Sequence, residues 1–228
     1  MSERATEKFE KRLTTITNIW KRLLGAPSTA RDAEAYRETL FPEFKTVDAM
    51  LEYLQDKTVL DIGSGLTHEN PYSLINIAAR NKKSNIFFMG LEPKVGGISE
   101  KFSLAERLWL HWSKLRTESA EKHRDTPGKN LAIAGAVPGL QLPDKSINII
   151  ISNAAVGTWI TDEAALLQMF KEFNDVLTGD GEIRIKVFFP KLFENDGPLR
   201  QFIDSNFEPT ESGPHPPGSL LIFKKKRP

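Results

Sequence analysis

The sequence predicts an α/β fold, a three-layer sandwich with a mostly parallel sheet between two layers of helices. Short apolar segments alternate with helical patterns through most of residues 58–205, which is typical of a parallel sheet covered on both faces. The last two apolar segments, 207–210 and 219–224, have no helix between them. Parallel neighbours need a long crossover, so this pair is antiparallel. We therefore expect seven strands, the last two of which form an antiparallel hairpin.

Residues 1–55 predict a helical extension ahead of the sheet. Between Ala5 and Leu24, apolar residues fall three and four positions apart, which places them on one face of a helix. A second helical stretch follows and crosses a break at Phe41-Pro42, because proline interrupts a helix. We expect residues 1–55 to act as a cap or lid and residues 56–228 to form the sheet-containing domain.

Each predicted strand is a short apolar run bounded by turn residues. Helical spacing covers residues 71–80 and 102–115, and a further helix starts at Thr161 and carries Asp162 in its first turn. Gly179 follows that helix in a position suited to a left-handed cap. In the next strand, Arg184 and Lys186 alternate with apolar residues, which predicts a face that reaches solvent. The seven strand segments are 59–62, 85–91, 131–134, 148–152, 182–188, 207–210 and 219–224, and a short helix covers 199–205.

Composition excludes several classes of protein. The 31 basic and 30 acidic residues give a net charge of +1, which argues against a general nucleic-acid coat. The absence of cysteine excludes disulfides, cysteine-based zinc sites and iron–sulfur clusters, and the four histidines show no metal-ligand spacing, so we expect no metal site. No stretch approaches the roughly 18 apolar residues of a membrane span, and the charged start lacks a secretion signal. We expect a cytoplasmic protein.

The sharpest local signal is Asp61-Ile62-Gly63-Ser64-Gly65, which lies between a predicted strand and a helix. Glycines at such a turn let the backbone approach a ligand that a side chain would exclude. Glu92 follows the second strand, where a carboxylate can accept two hydrogen bonds from a ribose diol. Together they predict an adenosine-bearing ligand over the carboxyl ends of the first two strands. A dinucleotide is disfavoured, because His68 occupies the place of the third glycine of the dinucleotide motif.

Four motifs in this order resemble those of the class I S-adenosylmethionine-dependent methyltransferases, over roughly residues 57–224. They are Thr58–Gly65, Gly90–Pro93, Leu142–Asn148 and Asp175–Ile183. The resemblance implies S-adenosylmethionine as the cofactor. It implies that the methionine part is held by Asp61, Gly63, Ser64 and Gly65, the ribose by Glu92 and Pro93, and the adenine by Gly135, Ala136 and Val137, with Asn153 bordering the cofactor and the methyl-transfer site.

The leading hypothesis is methyl transfer to a small or medium-sized acceptor by direct displacement, with Asn153 and Lys186 as the candidate catalytic residues. Residues 183–188 also resemble the fifth strand of ribosomal RNA 2′-O-methyltransferases, in which a lysine activates the ribose hydroxyl. Asn153 and Leu220 stand where those enzymes have an aspartate and a glutamate, so an RNA acceptor is disfavoured. Two further alternatives stay open, a catalytically inactive S-adenosylmethionine-binding regulatory module and a nicotinamide-dependent oxidoreductase.

Overall fold

The structure of the chain is a computed structural model that describes eight segments of the sequence. The helix predicted between Ala5 and Leu24 and the helix predicted over residues 102–115 lie outside the described residues. The described segments are residues 31–63, 72–81, 85–89, 131–132, 139–140, 142–157, 160–210 and 215–227.

A mixed sheet forms the middle layer, so the predicted α/β class is confirmed. Its described strands are β1 (Thr58–Ile62), β2 (Asn85–Met89), β3 (Leu131–Ala132), β4 (Ile147–Asn153), β5 (Leu177–Val187), β6 (Phe207–Pro209) and β7 (Ser219–Lys225). Across the sheet they follow the order β3-β2-β1-β4-β5-β7-β6. Strand β7 runs antiparallel to β5 and β6, and the pairs from β3 to β5 are parallel. The chain therefore closes its sheet with an antiparallel strand inserted beside β5.

Of the described helices on this sheet, α1 (Ala33–Leu40) and α4 (Glu163–Val176) are capped at their amino ends by aspartate side chains. Asp32 caps α1, where its carboxylate accepts a hydrogen bond from the amide of Ala35 at 2.8 Å. Asp162 was expected inside the first turn of α4 but is its N-cap, because its carboxylate accepts from the amide of Ala165 at 2.8 Å. None of the described helices is long and apolar enough to cross a membrane. They are α1 (Ala33–Leu40), α2 (Val47–Tyr53), α3 (Leu74–Asn81), α4 (Glu163–Val176), α5 (Lys191–Glu194) and α6 (Pro198–Asn206).

Each face of the sheet buries its own apolar core. On one face, Phe170 of α4 belongs to a cluster that includes Ile183 of β5 and residues of α6. On the other face, Leu40 of α1 and Met50 of α2 share a cluster with Ile149 of β4 and with α3. Burial of these side chains supplies the main stabilisation of the sandwich.

Helices α1 and α2 lie in the segment predicted as an extension, and they pack directly on the sheet. They cover Arg184, whose Nη1 donates to the Leu40 carbonyl at 2.9 Å and to Glu43 Oε1 at 2.6 Å, while its Nε donates to Glu182 Oε1 at 2.6 Å. The expectation that this face of β5 reaches solvent is wrong, because Arg184 is only 5% exposed. The boundary predicted between residues 55 and 56 remains a prediction.

The left-handed cap predicted at Gly179 is also wrong. Helix α4 ends at Val176, and Leu177 already has extended backbone angles of −71° and 139°. The chain therefore passes straight from α4 into β5. Gly179 lies in an exposed part of β5 where the pairing register with β4 shifts, so it belongs to a strand irregularity.

Candidate functional site

The candidate site lies at the carboxyl edge of the sheet, between β1 and β4. From β1 the chain continues to β2 on one side, whereas β4 and β5 lie on the other side. Such a reversal opens a crevice outside the strand ends, which is where open α/β sheets bind ligands. Asp61 of β1 and Asn153 of β4 flank this point on the face that α1 covers.

Asp61 is a buried carboxylate, and only one of its two oxygens has a hydrogen-bond partner among the described residues. Its Oδ2 accepts a hydrogen bond from the Tyr36 hydroxyl of α1. Its Oδ1 is buried and has no hydrogen-bond partner among the described residues. Burial raises the pKa of Asp61 to about 7, although the Tyr36 hydrogen bond and the charge of Arg31 favour the ionised form. A buried acceptor without a partner is costly, so Oδ1 is suited to meet a donor on a ligand.

Asn153 connects the end of β4 to the helix above it. Its Nδ2 donates to Thr39 Oγ1 at 2.7 Å, and its backbone carbonyl accepts from Arg31 Nη1 at 2.9 Å. The side chain is 5% exposed. Since its amide donor is already bonded to α1, the side chain of Asn153 holds this helix over the crevice.

Hydrogen bonds also tie the ends of three strands to one another. Ser152 Oγ donates to the Ile62 carbonyl at 2.9 Å and accepts from the amide of Val156 at 3.2 Å. Ala154 turns the chain just after β4 with a φ of 69°, and its amide donates to the Lys186 carbonyl at 3.1 Å. The carboxyl ends of β1, β4 and β5 are thereby fixed relative to each other.

Lys186 lies beside Asn153 at the carboxyl end of β5. The register pairs Lys186 with Asn153 of β4 and with Leu220 of β7, and paired residues project from the same face of a sheet. Lys186 is partly buried, and its ammonium has no hydrogen-bond or ion-pair partner within the described part of the chain. The structure therefore brings Asp61, Asn153 and Lys186 to one edge and one face.

Of the predicted glycine loop, the structure describes Gly63. It follows β1 directly and has a φ of 73°, in the left-handed region that glycine adopts without strain. This conformation turns the chain sharply at the strand end. The other predicted cofactor residues lie outside the described residues: Ser64, Gly65, Glu92, Pro93, Gly135, Ala136 and Val137.

Sequence reasoning missed the contribution of α1. Tyr36 lies in the second predicted helical stretch, and the sequence patterns assign no site role to it, to Arg31 or to Thr39. The available signal was the pair of hydroxyls at Tyr36 and Thr39, because residues three apart share one face of a helix. Polar atoms on a buried helix face need partners, and here the partners are Asp61 and Asn153.

Two other clefts are present on the described surface. One cleft runs along β7 beside Arg184, and a second lies at the amino edge beside Lys57; neither is lined by Asp61. Within the described segments, no group of three or more histidine or acidic side chains is placed to hold a metal ion. The buried carboxylate at the end of β1 is thus the feature from which we argue a binding site.

Comparisons with known proteins identify the fold. No protein-family model and no curated protein sequence matches the chain. It is similar in structure to the PH0226 protein from Pyrococcus horikoshii OT3, with a TM-score of 0.53 and 14% identity, covering 91% of this chain and 98% of that one. It is also similar to an S-adenosylmethionine-dependent methyltransferase from Methanosarcina mazei, with a TM-score of 0.46 and 17% identity, covering 76% and 94% of the two chains. A TehB-like S-adenosylmethionine-dependent methyltransferase from Corynebacterium glutamicum gives 0.46 and 15%, with 95% and 99% covered.

Identities this low show the fold alone. The likeness to the PH0226 protein extends over nearly the whole of both chains. The predicted α/β fold with a mixed sheet is thereby confirmed.

Proposed function

We propose that this chain is an S-adenosylmethionine-dependent methyltransferase that acts on a small or medium-sized acceptor by direct methyl displacement. The observation that carries the proposal is Asp61, a buried carboxylate at the switch point of the sheet with an unpartnered Oδ1. The sequence motif that contains Asp61 resembles the first motif of that family. The geometry of Asp61 and the motif that contains it thus both support S-adenosylmethionine as the ligand at the carboxyl end of β1.

Asp61 fits the methionine part of this cofactor. That part carries an ammonium group, and an ammonium donates strong, charge-assisted hydrogen bonds to a carboxylate. A cation at Oδ1 would also favour the ionised form of Asp61 and offset the burial that raises its pKa. The sharp turn at Gly63 supports close approach of the backbone, and Ser64 and Gly65 would continue the same cradle.

The rest of the cofactor would follow the neighbouring strand ends. Glu92, with Pro93, would accept hydrogen bonds from the ribose hydroxyls after β2. Residues 135–137 would flank the adenine after β3. Both assignments stay proposals that rest on the resemblance of the motifs.

Direct methyl displacement requires few catalytic groups from the protein. When bound, the cofactor supplies a methyl group already activated by its sulfonium. The chain then has to hold the acceptor at attacking distance and exclude water, and a base is needed only for an acceptor that must lose a proton. Asn153 would contribute by holding α1 over the crevice, and Lys186, partly buried at the same edge, would orient the acceptor.

A small acceptor is favoured over RNA by the neighbours of Lys186. In the ribose-methylating pattern the lysine acts with carboxylates, whereas Lys186 lies opposite Leu220 on β7 and beside Asn153 on β4. The Asn153 amide is bonded to Thr39 at 2.7 Å. A lysine with no carboxylate partner among the described residues is poorly placed to activate a ribose hydroxyl, so RNA remains the second candidate.

Calorimetric titration with S-adenosylmethionine, S-adenosylhomocysteine and NAD tests the cofactor assignment. We expect the first two to bind and NAD not to bind. Asp61→Ala should weaken S-adenosylhomocysteine binding by about 1 to 3 kcal/mol, roughly 5- to 150-fold. Asp180→Ala is the matched control, because Asp180 is an exposed aspartate at the opposite end of the sheet. Unchanged affinity in Asp61→Ala would contradict the assignment.

Transfer of radiolabelled methyl groups tests the acceptor class. We expect label in a fraction of small metabolites and none in ribosomal RNA. Label in RNA would favour the ribose-methylating alternative. Tight cofactor binding without transfer to any class of acceptor would instead favour a regulatory module that has lost its activity.

A further inference from the structure

We propose that helix α1 is a wall of the cofactor site and that Tyr36 is a positioning residue, which orients Asp61 so that Oδ1 faces the ammonium of the ligand. This inference rests on the proposed function. It goes beyond that function because the sequence motifs of the cofactor site begin at β1, and α1 precedes them.

Three contacts join α1 and its amino end to both strands that flank the crevice. The Tyr36 hydroxyl donates to Asp61 Oδ2 of β1. Thr39 Oγ1 accepts from the Asn153 side chain of β4 at 2.7 Å, and Arg31 donates to the Asn153 carbonyl at 2.9 Å. A helix attached to both strand ends cannot leave the crevice without breaking buried hydrogen bonds. It therefore forms part of the crevice itself.

Because of the Tyr36 hydrogen bond, the two oxygens of the Asp61 carboxylate have different roles. Tyr36 occupies Oδ2, which fixes the rotation of the carboxylate, and Oδ1 is left buried without a partner among the described residues. A carboxylate that is already held in one orientation loses less conformational entropy when a ligand binds, so the ligand binds more tightly.

A second tyrosine in the same described segment also donates to a buried carboxylate, and we interpret this second pair as structural only. Tyr53 of α2 donates to Glu182 Oε1 at 2.8 Å, and Arg184 Nε donates to the same oxygen at 2.6 Å. Glu182 thus has an arginine to balance its charge within the fold. Asp61 has the equivalent tyrosine but keeps an oxygen free for a ligand.

The charged groups around Asp61 predict how pH acts on binding. Tyr36 of α1 and Arg31, which precedes this helix, both lower the pKa of Asp61, which burial raises to about 7. Lys186 lies on the same face of the sheet two strands away. The ammonium of the ligand needs the ionised carboxylate, so affinity should fall as the pH drops below about 7. Without the Tyr36 hydroxyl, this fall should begin at a higher pH.

Calorimetry with two probes tests the role of Tyr36. S-adenosylhomocysteine carries the amino-acid part, whereas 5′-methylthioadenosine lacks it and is uncharged there. We expect Tyr36→Phe to weaken S-adenosylhomocysteine about 10-fold or more at pH 7, to shift its pH midpoint upward, and to leave 5′-methylthioadenosine unchanged. Tyr53→Phe is the matched control and should change neither affinity.

Equal loss of both probes, or an unchanged midpoint in Tyr36→Phe, would overturn the positioning role while leaving the proposed function intact. A wild-type protein that binds neither probe would overturn the proposed function, and the inference with it. Hydrogen exchange on the wild-type chain gives a second measurement that needs no variant. S-adenosylhomocysteine should slow amide exchange in residues 33–40, and unchanged exchange there would contradict a wall formed by α1.

Discussion

Replacing Asp61 by asparagine should stabilise the protein without its ligand while weakening the binding of the cofactor. Asparagine keeps the shape of the side chain and can still accept the Tyr36 hydrogen bond, but it carries no charge. The folded chain buries Asp61 almost completely, at 1% exposure, so its ionised form is unfavourable before a ligand arrives. The negative charge of Asp61 is therefore expected to favour cofactor binding and to destabilise the ligand-free fold.

The size of the effect follows from the pKa of Asp61. Its ordinary value is 3.8, and burial raises it to about 7 in the folded chain. Between these two values the folded state keeps a proton that the unfolded chain has released, so the free energy of unfolding falls as the pH rises through this window. Above pH 7, ionising the buried acid costs about 4 kcal/mol at most. An additional buried amide hydrogen offsets part of the gain, which leaves about 2 to 4 kcal/mol.

Urea denaturation of the wild type and Asp61→Asn at pH 8 and pH 4 measures this difference. At pH 8 the variant should be more stable by about 2 to 4 kcal/mol, with a Tm about 5 to 15 °C higher. At pH 4 the wild-type acid is already protonated in the folded state, so the variant should lose this advantage and be equal in stability or less stable by up to about 2 kcal/mol, the cost of the additional buried amide hydrogen. Asp180→Asn, at an exposed site, should show no such pH-dependent difference. The same stability change at both pH values would refute the assignment of a buried, ligand-free charge to Asp61.

Three other substitutions, one of them with a matched control, examine the fold and the acceptor site. Gly157→Ala should lower the free energy of unfolding measured in urea by about 1 to 3 kcal/mol, because its φ is 72° and the new Cβ would lie 2.7 Å from the Phe193 ring. Gly179→Ala is the control. It should be neutral or slightly stabilising, because no described residue beyond its chain neighbours has an atom within 4 Å of the position of its new Cβ. Arg184→Met should lower the free energy of unfolding by about 3 kcal/mol, since it leaves the buried carboxylate of Glu182 without its cation, and a loss below 1 kcal/mol would contradict a buried ion pair. Lys186→Met should reduce methyl transfer only modestly and leave S-adenosylhomocysteine affinity unchanged; a loss of 100-fold or more would favour ribose methylation instead.

The sequence by itself determined the features that depend on neighbouring residues. The alternation of apolar runs and helices predicts the α/β class, and the missing helix before the last strand predicts that β7 is antiparallel. Asp61 and Gly63 could be recognised because a strand followed by a glycine turn is a local pattern that needs only a few consecutive residues. Strands β1, β4, β6 and β7 begin and end within one residue of the predicted positions, whereas β5 begins five residues earlier than predicted.

Only the tertiary structure decided which residues from distant parts of the chain meet at the carboxyl edge. Tyr36 reaches Asp61 across 25 positions, and Thr39 reaches Asn153 across 114. The same packing of α1 and α2 buries Arg184, although its alternation with apolar neighbours is equally typical of a solvent-facing strand. Periodicity tells which side chains share a face, whereas the layer that covers this face is set by long-range packing. Tyr36 could therefore be proposed as part of the cofactor site only once α1 was seen to lie across the ends of β1 and β4.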